Sequence, residues 1–137
     1  IWNFRQLEAL VVDENINLSD LKGTMLYMLQ SLFGKDTQIQ LRPNYFPYVE
    51  PALEMDASCV ICKGKNPICK TCKGTGWVEL GGAGMVHPQV LRNVGIDPNR
   101  YSGFAFGFGI ERMAAIRYQV DDIRQFWRPD IRFLEQF

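Results

Sequence analysis

Tyr101-Ser102-Gly103-Phe104-Ala105-Phe106-Gly107-Phe108-Gly109-Ile110-Glu111-Arg112-Met113 is the stretch on which the fold turns. Ser102 to Gly109 reads as a buried strand whose glycines permit close approach of neighbouring backbone. Ile110 to Tyr118 reads as a helix, so a glycine-rich strand runs directly into a Gly-x-Glu-Arg helix start. That junction puts Arg112 in the first helical turn, pointing across the strand end toward whatever the glycines admit. A guanidinium there can stack on a purine face and also meet phosphate oxygens. Glu111 has a plainer use, as a carboxylate favoured by the helix dipole.

On the amino-terminal side, residues 4 to 12 begin with alternation and finish apolar, as a strand entering a core does. Asp13-Glu14-Asn15 reads as a turn. From Leu18 to Phe33 apolar residues fall at 18, 21, 25, 26, 28, 29, 32 and 33, a broad helical face, with Ser19 as cap and Gly34 as terminator. Gly23 inside it weakens the helix slightly. Residues 37 to 42 read as a strand, and the two prolines of Arg42-Pro43-Asn44-Tyr45-Phe46-Pro47-Tyr48 exclude helix there. Further strands are expected at roughly 50 to 57 and 76 to 84. His87-Pro88 opens a short helix ending near Gly95, which makes His87, the only histidine, a helix-start residue rather than a catalytic base. Strands dominate and no βαβ rhythm is present. The expected class is α+β, an antiparallel β-sheet flanked by helices.

The 137 residues suffice for one domain with its own core, and 47% hydrophobic with 22% charged residues is ordinary for a globular chain. The formal net charge is zero, so no global field draws the chain to nucleic acid or to an anionic membrane, and any polyanion must be met by local charge. No apolar run approaches the ~20 residues that span a bilayer. Ile1-Trp2-Asn3-Phe4-Arg5 lacks the basic start and apolar stretch of a signal peptide, and with no Met it reads as a boundary inside a longer protein.

Residues 57 to 78 form an insert. Cys59-Val60-Ile61-Cys62-Lys63-Gly64 recurs as Cys69-Lys70-Thr71-Cys72-Lys73-Gly74, giving C-x2-C-x6-C-x2-C. Two residues between thiolates let both sulfurs of a pair reach one ion, and the following glycine relieves the tight turn. Four thiolates suit a closed, structural Zn²⁺ site and a reducing cytoplasm; two disulfides or a redox pair are the alternatives. Lys63, Lys65, Lys70 and Lys73 oppose the thiolate charge, with no carboxylate from Ala57 to Val78. They serve as solvated, charge-balancing side chains or as an RNA-binding patch.

The strand-to-helix stretch resembles the third signature motif of class II aminoacyl-tRNA synthetases. Phe4-Arg5-Gln6-Leu7-Glu8, Tyr45-Phe46-Pro47-Tyr48-Val49-Glu50-Pro51, Leu80-Gly81-Gly82-Ala83-Gly84-Met85-Val86-His87-Pro88 and Asp130-Ile131-Arg132-Phe133-Leu134-Glu135-Gln136-Phe137 occur in that order. Together they look like the bacterial phenylalanyl-tRNA synthetase α subunits over essentially residues 1 to 137, as the carboxy-terminal part of the catalytic domain. The resemblance implies ATP-dependent activation of L-phenylalanine and its transfer to tRNA(Phe), in the cytoplasm, away from membranes, by two α and two β subunits. Phe4 matches the aromatic that stacks on adenine, and Arg112, the candidate catalytic residue, closes its other face. Gln6 and Glu8 match side chains that hold the substrate ammonium. Phe46, Tyr48 and Val49 match the wall around the substrate ring, and Ala105 and Gly107 its floor. Glu50 and Glu79 are candidates to approach Mg²⁺ and phosphates. Tyr48 stands where a phenylalanine is expected, so its hydroxyl needs water or an acceptor.

Each residue also has a bland use. Phe4, Gln6 and Glu8 share one strand face, and Phe104, Ala105 and Phe106 are equally plain core. The synthetase reading rests on their joint order. Nothing resembles the first class motif, and the phosphate-gripping arginine of the second would lie upstream, so this chain alone is expected to be inactive. The rival readings are a zinc-knuckle module that binds nucleic acid or protein, and a synthetase-like paralogue that does not charge tRNA.

Overall fold

The computed structural model describes residues 3–120 and 122–137. Ile1 and Trp2, read above as part of a boundary inside a longer protein, lie outside the described residues, as does Asp121. Five strands, β1 (Gln6–Glu14), β2 (Ile39–Phe46), β3 (Val49–Ser58), β4 (Trp77–Val86) and β5 (Tyr101–Gly109), form one sheet in the order β1-β5-β4-β3-β2. Every neighbouring pair is antiparallel, as expected. Helix α1 (Leu18–Phe33) follows β1, α2 (Pro88–Asn93) joins β4 to β5, and α3 (Ile110–Tyr118) continues β5.

The two faces of β5 differ in kind. Successive side chains of a strand point to opposite sides, and here Phe104, Phe106 and Phe108 share one side while Ala105 and Gly107 share the other. The three phenylalanines are buried, with neighbouring rings near-parallel and centroids 6.3 and 6.0 Å apart. Helix α1 covers them: Leu21, Met25 and Leu29 recur at four-residue spacing and are fully buried against Met55, Leu80 and the β5 rings.

Three expected boundaries move for identifiable reasons. Asn17, not Ser19, caps α1: Asn17 Oδ1 accepts from the Ser19 and Asp20 amides, and the Asp20 carboxylate accepts the Asn17 amide at 2.8 Å, closing a capping box. Gly34 ends the helix as expected, at φ 111°. Asp13 and Glu14 remain in β1, paired with Ser102 and Tyr101, and the chain turns at Asn15, which adopts φ 58°. Strand β2 runs through Pro43 to Phe46 because it is an edge strand, where a missing N–H need not break a ladder. His87 caps α2, its Nδ1 accepting the Gln89 amide at 3.1 Å, which is the helix-start role expected of it.

A 3₁₀ turn (Ile123–Trp127) and a one-turn helix α4 (Ile131–Leu134) close the chain. Phe126, Phe133, Phe137 and Tyr118 pack edge-on there, with centroids 5.0 to 5.6 Å apart. Among the described residues no helix is long and apolar enough to cross a membrane.

Leu29→Ala should lower unfolding stability by about 2–5 kcal/mol, because it opens a cavity under the sheet. Tyr27→Ala, on the exposed face of the same helix, should stay within about 0.5 kcal/mol. Urea midpoints of the two variants check this; equal losses would mean that α1 packs by another face.

Candidate functional site

The side of the sheet away from α1 is open where β5 carries Ala105 and Gly107. Gly82 of β4 pairs with Gly107 in register, so two adjacent strands present bare backbone. The result is a cavity of about 590 Å³ lined by Gln6, Glu8, Ala9, Leu10, Phe46, Tyr48, Val49, Gly82, Ala83, Ala105, Phe106 and Gly107, within the usual ~300–1,000 Å³ range of small-molecule sites. All seven residues expected around the substrate line this one hollow.

Local packing explains its walls. The Phe46 ring lies on Gly82: a Cβ there would sit 2.8 Å from Phe46 Cε2. The Phe46 and Tyr48 rings are 6.1 Å apart and 18° from parallel. Tyr48 is exposed, so its hydroxyl reaches water. Glu8 leans over Gly107, where a Cβ would come 3.3 Å from Glu8 Cγ and 3.7 Å from its Oε1. Its carboxylate therefore hangs at the edge of an otherwise mostly apolar hollow, where an ammonium would find a strong partner.

One end of this face is tied to α3. The Arg5 amide donates to both carboxylate oxygens of Glu111 at 3.1 and 3.2 Å, Arg5 Nη1 adds a contact at 3.3 Å, and the Ile110 amide donates to the Arg5 carbonyl at 2.9 Å. Glu111 is only 5% exposed. It occupies the first helical turn as read from the sequence, but its hydrogen-bonding partner is the start of β1, 106 residues away. This clamp brings the segments bearing Phe4 and Arg112 to the same end of the sheet. Both side chains are exposed.

Arg112 Nη1 donates to the Glu79 carbonyl at 2.9 Å and lies 3.7 Å from Glu79 Oε1. Glu79 in turn is 3.8 Å from Arg42, whose guanidinium holds Asp56 through two hydrogen bonds and Glu54 at 2.9 Å. The Asp56 hydrogen bonds, opposed by burial, raise the Arg42 pKa above its already high ordinary value. Sequence reasoning missed Arg42, Glu54 and Asp56. The readable signal was the alternation of Glu54 and Asp56 with Leu53, Met55 and Ala57. Glu50 and Glu79 are not brought together. Glu50 lies beside the Val49–Val86 pair and Glu79 faces Asp56, six residues further along β3, about 20 Å at the rise of a strand.

The cysteines cluster at the tip of the β3–β4 connection. Their sulfurs all lie within 4.8 Å of one another, with Cys59–Cys69 at 3.9 Å and Cys62–Cys72 at 3.5 Å. Both halves of the repeat fold alike: Lys63 and Lys73 adopt φ 51° and 54°, and Gly64 and Gly74 follow at 75° and 80°. A tetrahedral ion with ~2.3 Å bonds to sulfur needs S–S edges of ~3.8 Å, so the four-sulfur set fits a four-coordinate metal. No disulfide joins the four cysteines. Burial pushes the Cys59 thiol up to about 12. At Cys62 burial also acts upward, but hydrogen bonds from Cys72 and from the Gly64 and Asn66 amides prevail and hold it down at about 6. The Cys72 amide lowers the pKa of Cys69.

Residues 1–137 match the family described as tRNA synthetases class II core domain (F). The chain belongs to that family. This class II core is 57% identical over 134 residues, 98% of its length, to a protein named phenylalanine–tRNA ligase alpha subunit from Macrococcus caseolyticus. Proteins of the same name from Bacillus cytotoxicus and Bacillus cereus are likewise 57% identical over 98% of the chain. The chain spans 37–38% of the length of these relatives. The family match covers the cysteine insert and the sheet alike, which a free-standing zinc module leaves unexplained.

Glu111→Ala removes the buried carboxylate that accepts the part-buried Arg5 amide and should cost about 1–3 kcal/mol. Hydrogen exchange at Arg5 and Leu7 should accelerate more than at Met55; uniform acceleration would mean that the clamp does not hold β1 locally.

Proposed function

We propose that the open face of the sheet is the phenylalanine- and nucleotide-binding part of a phenylalanine–tRNA ligase, working within an α subunit. The observation that carries this is the convergence of Gln6, Glu8, Phe46, Tyr48, Val49, Ala105 and Gly107 on one cavity. Glu8 and Gln6 accept hydrogen bonds from the substrate ammonium, and the rings of Phe46 and Tyr48 pack on the benzyl group over the bare backbone of Gly107. Phe4 and Arg112 take opposite faces of adenine at the end of the sheet secured by Glu111.

The reaction needs no protein nucleophile. A carboxylate oxygen of phenylalanine bonds to the α-phosphorus of ATP, the bond to the bridging oxygen breaks, and pyrophosphate leaves. A hydroxyl of the terminal adenosine of tRNA(Phe) then takes the acyl group and releases AMP. The chain contributes orientation and charge: Arg112 faces the phosphates, and Glu79, itself steadied by Arg42, fixes Arg112. Mg²⁺ bound with ATP would offset phosphate charge; Glu79, beside Arg112, would be the carboxylate to approach it, while Glu50 stands about 20 Å away along β3. Zn²⁺ in the cysteine cluster is structural, since four thiolates leave no open position. The working assembly contains two α and two β subunits in the cytoplasm.

In the α subunit assembled with its β partner, phenylalanine-dependent exchange of pyrophosphate into ATP is expected. Glu8→Ala should raise KM for phenylalanine about 10- to 100-fold by removing a charge-assisted hydrogen bond, with KM for ATP nearly unchanged. Exchange indifferent to phenylalanine, or an unmoved KM, would defeat the assignment. Discrimination against tyrosine by the pocket itself should reach only ~10²-fold.

Elemental analysis should find one zinc per chain. Cys69→Ser/Cys72→Ser should abolish it and admit protease between Cys59 and Gly74, while KM for phenylalanine moves less than about twofold, because the cavity is built on the sheet. Released metal should leave four titratable thiols; finding none would favour disulfides.

A further inference from the structure

A second groove lies between the cysteine insert and α3, with a volume of about 610 Å³. Lys70, Lys73 and Trp77 line it on the insert side, while Arg112 and Glu79 line it where it meets the proposed nucleotide site. It therefore runs from the metal clip to the end of the sheet where acyl transfer is proposed. No residue of the phenylalanine pocket lines it.

The insert carries more positive charge than its cysteines require. Four thiolates around a divalent ion sum to −2, whereas Ala57 to Val78 carries Lys63, Lys65, Lys70 and Lys73 and no carboxylate. Two positive charges remain uncompensated. Lys70 sits inside the Cys69–Cys72 pair, and Lys73 follows Cys72 at φ 54°. A bound metal would fix the backbone from which both side chains project. Glu79 carries the opposing charge in the groove, but it is engaged with Arg112 and Arg42. Trp77 is half-buried and adds an aromatic face. Cations beside an aromatic surface make a track for single-stranded nucleic acid, through phosphate contacts and base stacking.

We infer that this groove binds the single-stranded acceptor end of tRNA, with Lys70 and Lys73 on its phosphates and Trp77 against a base. The inference rests on the synthetase reading above and assigns the insert a role in that same site: it steers the acceptor strand toward Arg112.

The test uses the α subunit assembled with its β partner and fluorescently labelled tRNA(Phe). Lys70→Glu/Lys73→Glu should weaken tRNA binding by anisotropy about tenfold or more and flatten its salt dependence, by about 1.4 in log–log slope for two single-strand phosphate contacts. Pyrophosphate exchange should keep its KM values for ATP and phenylalanine. Lys63→Glu/Lys65→Glu makes the same charge change on residues that do not line the groove and should move binding less than about threefold. Zinc content is measured in every variant, and Lys70→Gln/Lys73→Gln replaces the glutamate pair should that pair lose metal. Unchanged tRNA affinity, an equal loss in the control pair, or a raised KM for ATP in place of weakened tRNA binding would each overturn the inference. Failure of the synthetase reading is distinguishable, because the unsubstituted assembly would then show no phenylalanine-dependent exchange.

Discussion

The strict alternation of β5 divides the molecule into a packed side and an open side. Phe104, Phe106 and Phe108 supply enough apolar surface to anchor α1, and the positions between them carry almost no side chain. A one-residue slip against β1 or β4 would turn the rings into the cavity and expose the small residues to α1. The register of Glu8 on Gly107 and of Gly82 on Gly107 therefore underlies both the core and the hollow. Stability and site are two faces of one strand.

Around that strand the site is assembled from pieces that cannot act alone. Strand β1 brings Gln6 and Glu8 by pairing with β5, and the buried Glu111 carboxylate ties down the Arg5 amide just before them. The β2–β3 hairpin brings Phe46, Tyr48 and Val49, and Phe46 can lie flat because Gly82 has no side chain. Arg112 is steadied by Glu79, and Glu79 by Arg42. Most of these links join residues far apart in the chain, so disturbing one strand pairing removes several groups at once.

That same distance explains what the sequence disclosed and what it hid. The α1 face, the glycine-rich strand and the cysteine repeat were readable because each signal is local and periodic. Seven pocket residues were named because their motifs resembled a family, not because any spacing showed that they meet. Arg42 with Asp56, and Arg5 with Glu111, were invisible because contacts spanning 14 and 106 residues leave no local pattern. The cap of α1 was misplaced by two residues because Asn17 and Ser19 are both good caps, and only the reciprocal bond from Asp20 decides between them. Strand β2 outran its expected end because edge position, a property of the whole sheet, makes Pro43 harmless.

The insert leaves and rejoins the sheet at a single point: Ser58 pairs with Trp77, and the Cys59 amide donates to the Gly76 carbonyl at 2.7 Å. Its two ends are thus already as close as those of a tight hairpin. Excising everything between them and bridging with a short turn would leave every strand in register. The module is topologically detachable, so a lineage can acquire, lose or exchange it without rebuilding the sheet.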